Sequence, residues 1–166
     1  MLDFIAKGIA KVFGTKSDRD IKELLPKVTV INQAYSALKN LSDDQLRGKT
    51  QEIKGIINDR LKPIDEKILE IRSQIDLLPA QAIHQKDQLF NEIDKLEKER
   101  DEELEKVLEE VLPQAFAVVK ETARRFKENG KLVVSASMHD RELAVVKKNV
   151  EIQGEEAIWH NRWLAA

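Results

Sequence analysis

Two long runs of apolar residues at helical spacing, separated by a break at Leu78-Pro79-Ala80, constrain this chain more than any other feature. From Ile57 the first run alternates steps of four and three residues, a coiled-coil period that keeps one helix face apolar. The second run extends from Ile83 to Val111. Because so short a break around a proline leaves room only for a reversal, residues 51–111 are predicted to form an antiparallel helical hairpin with its tip near Pro79.

Residues 1–50 are predicted to form amino-terminal helices. A short amphipathic helix over residues 2–13 would end at Gly14. In the longer helix that follows, Pro26 is expected to kink or restart the chain. Ser42, with a glutamine three positions later, has the form of a capping box and predicts the start of the next helix.

Residues 112–129 are predicted to be a separate helix that Pro113 begins and Asn129-Gly130 ends. Beyond it the apolar period changes, and residues 130–166 are predicted to form a small β-containing appendage. It would hold one strand, one or two helical turns and a hairpin around Gly154. The predicted fold class is therefore mainly α, with elongated helices, a long antiparallel helical hairpin and a small β patch near the carboxyl end.

Composition and spacing exclude several classes of site. The chain has 28 Lys and Arg residues against 30 Asp and Glu residues, a net charge of -2, and no basic stripe, so nucleic acid is not predicted as a partner. It has no cysteine, and its three histidines are far apart, which disfavours metal binding. Acidic and basic residues alternate along the hairpin, as is typical of a solvated, ion-paired helix face. No catalytic, cofactor-binding or metal-binding residue is therefore predicted.

The tripeptide Gly48-Lys49-Thr50 resembles the end of a phosphate-binding loop. The full pattern needs a second glycine five positions earlier, where this chain has Asp43. The tripeptide also lies within the helix predicted after Ser42. We therefore do not interpret it as a nucleotide site.

Two other groups leave alternatives open. One interpretation of the basic residues Arg124, Arg125 and Lys127 is that they contact a phosphate or an acidic partner. The other is that they interact favourably with the dipole at the carboxyl end of a helix. For Trp159 and Trp163, the two interpretations are a docking patch and the core of the small appendage.

The amino-terminal helix is the candidate contact site. Its apolar face and lysines suit an anionic membrane surface, where each lysine contributes about 1 kcal/mol of binding free energy. Alternatively, this helix packs on the body of the protein or on a partner protomer. The lysines also interrupt the apolar run that a secretory signal requires. The residues predicted to contact a membrane or partner are Leu2, Ile5, Lys7, Ile9, Lys11, Val12, Phe13 and Lys16.

Three stretches of the chain, in the same order, resemble the beginning of SecA proteins. They are MLDFIAKGIAKVFG with SDRD (residues 1–14 and 17–20), Leu25-Pro26 with Val28, Ile31 and Asn32 followed by LSDDQLRGKT (41–50), and LPQAFAVVKETARR (112–125). The resemblance covers about half of the chain. The family usually has a short connection where this chain has residues 51–111, and residues after Phe126 also depart from the common pattern.

The resemblance implies an amino-terminal fragment of a cytoplasmic translocase ATPase, peripheral on the inner face of the cell membrane. It implies the SecY channel complex, secretory preproteins, anionic phospholipids and a second protomer as partners. ATP and Mg would bind to the parent protein, because the family's glutamine motif and phosphate loop follow this region and neither occurs here. A stand-alone coiled-coil interaction protein is the alternative.

Overall fold

The computed structural model describes residues 16–161. Their elements, in chain order, are α1 (Lys16–Leu38), α2 (Asp43–Leu77), α3 (Ile83–Glu128), β1 (Lys131–Ser135), α4 (Met138–Val146), β2 (Val150–Gln153) and β3 (Glu156–His160). Long helices with one small antiparallel sheet near the carboxyl end confirm the predicted fold class.

Helices α2 and α3 form the predicted hairpin, which reverses over residues 78–82. Its distal core consists of Ile64, Ile68, Ile71 and Ile75 from α2 and Ile93 from α3, with Leu89 and Leu96 packed against them. Ion pairs flank this apolar seam. Asp65 lies 2.6 Å from Arg100 and Arg72 lies 3.0 Å from Glu97, as expected for antiparallel arms.

The start of α2 has the predicted capping box. The Gln45 amide donates to Ser42 Oγ at 3.1 Å, and the Ser42 amide donates to Gln45 Oε1 at 2.9 Å. Two of the free amides at the helix start are thereby satisfied.

Pro113 does not begin a helix, contrary to the sequence prediction. Helix α3 passes through it without a break, as α1 passes through Pro26 and α2 through Pro63. A proline inside a helix costs about 3 kcal/mol through a lost hydrogen bond and a steric clash. Here apolar contacts on both sides of Pro113 offset that cost, since Val111 is 5% exposed and Ala117 fully buried. The hairpin arm and the family-like helix are consequently one element.

Helix α1 runs alongside the carboxyl-terminal part of α3. Leu38, Leu46 and Ala117 form the core where α1, α2 and α3 meet. Farther along α1, the Lys120 ammonium group lies 4.4 Å from the centre of the Tyr35 ring, a cation–π contact.

The sheet has the strand order β1-β3-β2, and all its pairs are antiparallel. The turn between β2 and β3 places Gly154 at φ 62°, a left-handed conformation that glycine adopts without steric cost. Helix α4 crosses between β1 and β2. We refer to β1, α4, β2 and β3 together as the sheet unit.

Candidate functional site

The most densely connected polar group in the described part of the chain centres on Arg125, a buried residue near the end of α3. Its Nε donates to Glu121 Oε1 at 2.9 Å and its Nη1 to Asp43 Oδ1 at 2.6 Å. Its Nη2 donates to the Leu41 carbonyl at 2.7 Å and to the Leu38 carbonyl at 3.3 Å. One guanidinium thus binds carbonyls at and just after the end of α1, a carboxylate in the first turn of α2 and a carboxylate of α3 itself.

Glu121 is fully buried and is bound by two arginines. Arg124 donates through Nη2 to Glu121 Oε1 at 2.6 Å and through Nε to Glu121 Oε2 at 2.9 Å, while Arg125 shares Oε1. The hydrogen bond from Arg124 is the main reason that the pKa of Glu121 is lowered to about 2 from its ordinary 4.5. Burial opposes this shift, and the bond from Arg125 adds to it.

Acid is expected to weaken the structure through Glu121. Its folded-state pKa is lowered, so the stability it contributes is fully present above pH 4.5 and is lost as the pH falls toward 2. We expect urea denaturation to show a stability difference between the parent chain and Glu121→Gln that is constant above pH 4.5 and shrinks below it. An unchanged difference down to pH 2 would contradict this account.

A second set of bonds attaches the sheet unit to the first turns of α2. Asp140, fully buried at the start of α4, accepts from Arg47 Nη2 at 2.7 Å and from the Ser137 amide at 2.8 Å. Asp44 accepts from the Ser135 amide at 2.9 Å and from Ser135 Oγ at 2.7 Å. Three side chains within two turns of α2 therefore bind partners on α3, β1 and α4. We call the whole set the polar junction, which comprises Asp43, Asp44, Arg47, Glu121, Arg124, Arg125 and Asp140.

A mainly apolar cleft of about 300 Å³ lies beside the polar junction. Asp43, Arg47 and Arg125 form its polar side. Its remaining lining consists of Leu46, Thr50, Val118, Thr122, Phe126, Leu132, Val134 and Trp159. The cleft lies where α2, α3 and the sheet unit meet.

The arrangement is suited to joining elements. Asp43, Asp44 and Asp140 each accept from a donor on another element. Glu121 instead binds arginines of its own helix, and burial strengthens these bonds. Six of the seven residues belong to the two strings that resemble SecA proteins, 41–50 and 112–125. The family-like strings therefore meet in space, although the hairpin separates them in sequence.

Most residues of the predicted contact site lie outside the described part of the chain. This applies to Leu2, Ile5, Lys7, Ile9, Lys11, Val12 and Phe13. Lys16 is described, and it is exposed at the first position of α1. Between residues 16 and 161, no helix is both long enough and apolar enough to cross a bilayer.

The tripeptide Gly48-Lys49-Thr50 lies inside α2 with helical backbone. The Lys49 ammonium group lies 2.6 Å from Glu52 Oε2 on the same helix. This segment is therefore a turn of helix and not the open loop that wraps a phosphate.

The basic residues at the end of α3 divide into two kinds. Lys127 is exposed, whereas Arg124 and Arg125 bind the buried Glu121. Sequence reasoning noted the arginines but missed Glu121 as their partner. The available signal was local, since Glu121 and Arg125 are four residues apart on one helix face. No comparable signal pointed to Asp43, Arg47 or Asp140.

One family model matches most of the chain. The family model described as "SecA DEAD-like domain" matches residues 9–144. This range contains the polar junction and the whole hairpin. The chain therefore belongs to the SecA family.

The similar proteins are each called "Protein translocase subunit SecA". This chain is 57% identical over 158 residues to the one from Cytophaga hutchinsonii, 47% over 158 residues to the one from Phocaeicola vulgatus, and 44% over 158 residues to the one from Amoebophilus asiaticus. Each alignment covers 95% of this chain but 14% of the relative, so the chain spans about one seventh of their length. No solved structure matches it significantly. The alternative of a stand-alone coiled-coil interaction protein is not supported.

Proposed function

We propose that this chain is the amino-terminal scaffold of a SecA translocase subunit, which exports secretory preproteins through the SecY channel. The supporting observation is the 57% identity to a protein translocase subunit over 95% of the chain. So extensive an alignment includes residues 51–111 and the sheet unit. Both features are therefore shared with relatives that carry the translocase name.

In this proposal the chain supplies mechanical connections, and the parent protein binds ATP and Mg elsewhere. The polar junction joins α1, α2, α3 and the sheet unit into a base, from which the distal hairpin extends. The side chains at that base are bound to one another. They are consequently suited to transmitting a movement of the base to the hairpin.

The test uses the full-length protein that contains this chain. We expect it to drive ATP-dependent transfer of a preprotein into inverted membrane vesicles that carry SecY. Shortening residues 58–104 to a glycine linker, which leaves the polar junction intact, should leave basal ATPase activity close to the parent value. Absence of preprotein transfer by the intact protein would refute the translocase proposal. Loss of basal ATPase activity on shortening would show that the hairpin belongs to the motor.

The proposed membrane contact lies at the amino terminus. The apolar positions of residues 2–13, with Lys7, Lys11 and Lys16, suit the anionic inner face of the cell membrane. Binding is expected to be stronger to anionic than to neutral vesicles and to weaken with salt.

We expect Lys7→Glu, Lys11→Glu and Lys16→Glu together to abolish the preference for anionic vesicles in a flotation assay. A matched triple variant at Lys95, Lys98 and Lys106, which are exposed on α3, should retain it. Equal flotation of the amino-terminal variant and the parent chain would contradict an electrostatic role for this segment.

A further inference from the structure

Both chain connections of the sheet unit lie at the carboxyl end of α3. The unit begins after Gly130 and ends before Asn161. Its first and last strand residues, Lys131 and His160, are paired with each other in the sheet. The Asn161 amide donates to the Gly130 carbonyl at 2.9 Å, and the Asn161 side chain donates to the Phe126 carbonyl of α3. Because the two connections are adjacent, the unit can turn about them without stretching the backbone.

About 13 Å farther along β1, a small set of polar contacts holds the unit to α2. Ser135 donates to Asp44 through its amide and its hydroxyl. Arg47 donates to the Ser135 carbonyl, to Ser137 Oγ and to Asp140. We call these contacts the latch. Asp44 and Ser135 are exposed and the Arg47 side chain is 38% exposed, so water competes for their bonds and lowers the net contribution of each.

One atom of the latch is poorly satisfied. Asp140 is fully buried, and the donors from Arg47 and Ser137 all reach its Oδ2. Its Oδ1 is buried and accepts no hydrogen bond from any group of residues 16–161. Burial of a carboxylate oxygen without a donor costs free energy, and separation of the latch would admit water to this carboxyl group. The latch is therefore less stable than the number of its bonds indicates.

The cleft between the connections and the latch weakens the apolar contact of the unit with the helices. Leu132, Val134 and Trp159 of the sheet unit line this cleft and are half-buried. Because the cleft has a volume of about 300 Å³, the apolar side chains on its two sides are not close-packed against each other there. Moving the unit consequently breaks fewer apolar contacts than it would at a close-packed interface.

We propose that the sheet unit is a hinged flap. It turns as one body about Gly130 and Asn161, and the cleft opens when the latch separates. The strand pairs inside the unit stay intact in both arrangements. So do the bonds of Arg125, which join α1, α2 and α3 without involving the unit. The inference goes beyond the proposed translocase function and does not depend on it.

Hydrogen exchange of two neighbouring amides, resolved by NMR on the full chain, tests the flap. The Ser135 amide donates across the latch to Asp44, whereas the Ala136 amide donates within the unit to the Glu155 carbonyl at 2.8 Å. Turning of the unit as one body breaks the first bond and keeps the second. We therefore expect the protection factor of Ser135 to be lower than that of Ala136 by about tenfold or more.

Arg47→Ala should accelerate exchange at Ser135 several-fold and leave Ala136 unchanged. The change removes three bonds of the latch and none within the unit, and it deprives the buried Asp140 of its cation. Arg60→Ala is the matched control, because the Arg60 guanidinium also bridges two elements but joins the arms of the hairpin. It should change neither amide.

The distance between two spin labels supplies a second measurement. The chain has no cysteine, so Gln51→Cys with Val145→Cys introduces the only pair, at exposed positions on α2 and α4. Electron–electron resonance should show two distances, one of which matches the structure. Arg47→Ala should increase the population at the other distance. Labels at Gln51 and Lys127, both on the helices, should show one distance that Arg47→Ala leaves unchanged.

Asp44→Ala separates the latch in a milder way, since Asp44 is exposed and its loss leaves no buried charge without a partner. It should increase the same label population as Arg47→Ala. Circular dichroism and the Ala136 amide report whether each variant keeps the fold of the unit.

Three results would overturn the flap. The first is equal protection of Ser135 and Ala136 with equal acceleration in Arg47→Ala, because the unit would then unfold and not turn. The second is protection of Ser135 as strong as that of the amides in the middle of α2, because the latch would then open only on global unfolding. The third is a single distance between Gln51 and Val145 that neither Arg47→Ala nor Asp44→Ala changes.

Discussion

Ile71→Asp is expected to destabilise the hairpin by about 4 kcal/mol, because it removes a buried aliphatic side chain and places a carboxylate in the seam. Ile71 is 7% exposed and packs among Ile68, Ile75 and Ile93. The carboxylate there would face apolar groups, so it must either remain unpaired or open the seam. Hydrogen exchange of the α2 and α3 amides should report the loss, together with the free energy of unfolding in urea.

Gln74→Asp is the matched control. Gln74 is exposed, one turn from Ile71 on the same helix, and its change should alter stability by no more than about 0.5 kcal/mol. Similar losses for the two variants would show that the isoleucine seam does not hold the arms together.

Arg125→Ala is expected to cost about 3 kcal/mol, since it removes a buried guanidinium that binds two carboxylates and two carbonyls, although Arg124 still binds Glu121. The change would deprive Glu121 and Asp43 of a guanidinium and the Leu38 and Leu41 carbonyls of their donor. Chemical denaturation gives the measurement. Lys127→Ala, two positions along the same helix and exposed, is the control and should change stability by about 0.5 kcal/mol or less.

A double variant separates the charge from the shape of the junction. Glu121→Leu with Arg125→Met removes both buried charges and keeps much of the volume, so it should be less destabilised than Arg125→Ala alone. If the single and double variants lose the same stability, the effect comes from packing and not from an uncompensated charge.

The hairpin could be predicted because its determinants are local. Four isoleucines at steps of three and four on α2, and apolar residues at similar spacing on α3, require helices that cover each other. The capping box at Ser42 and the turn at Gly154 depend on residues within a few positions and were predicted for the same reason.

Pro113 shows where local reasoning was wrong. Proline is typical of the first position of a helix, where its missing amide would have no partner within the helix. In the folded chain, contacts of α1 and α2 with α3 on both sides of Pro113 favour one uninterrupted helix. The preference of proline for a first helical position is small compared with the stabilisation from the apolar burial that a continuous helix permits.

The helical periods, the reversal at Pro79 and the family membership could be predicted from the sequence, because each depends on neighbouring residues or on continuous strings. Which distant charges meet depends on how the elements pack. Arg125 binds Asp43 across 82 positions and Arg47 binds Asp140 across 93, and no spacing rule connects such pairs. The physical reason is that an ion pair depends on distance in space, which the packing of α1, α2, α3 and the sheet unit sets only after each element has formed.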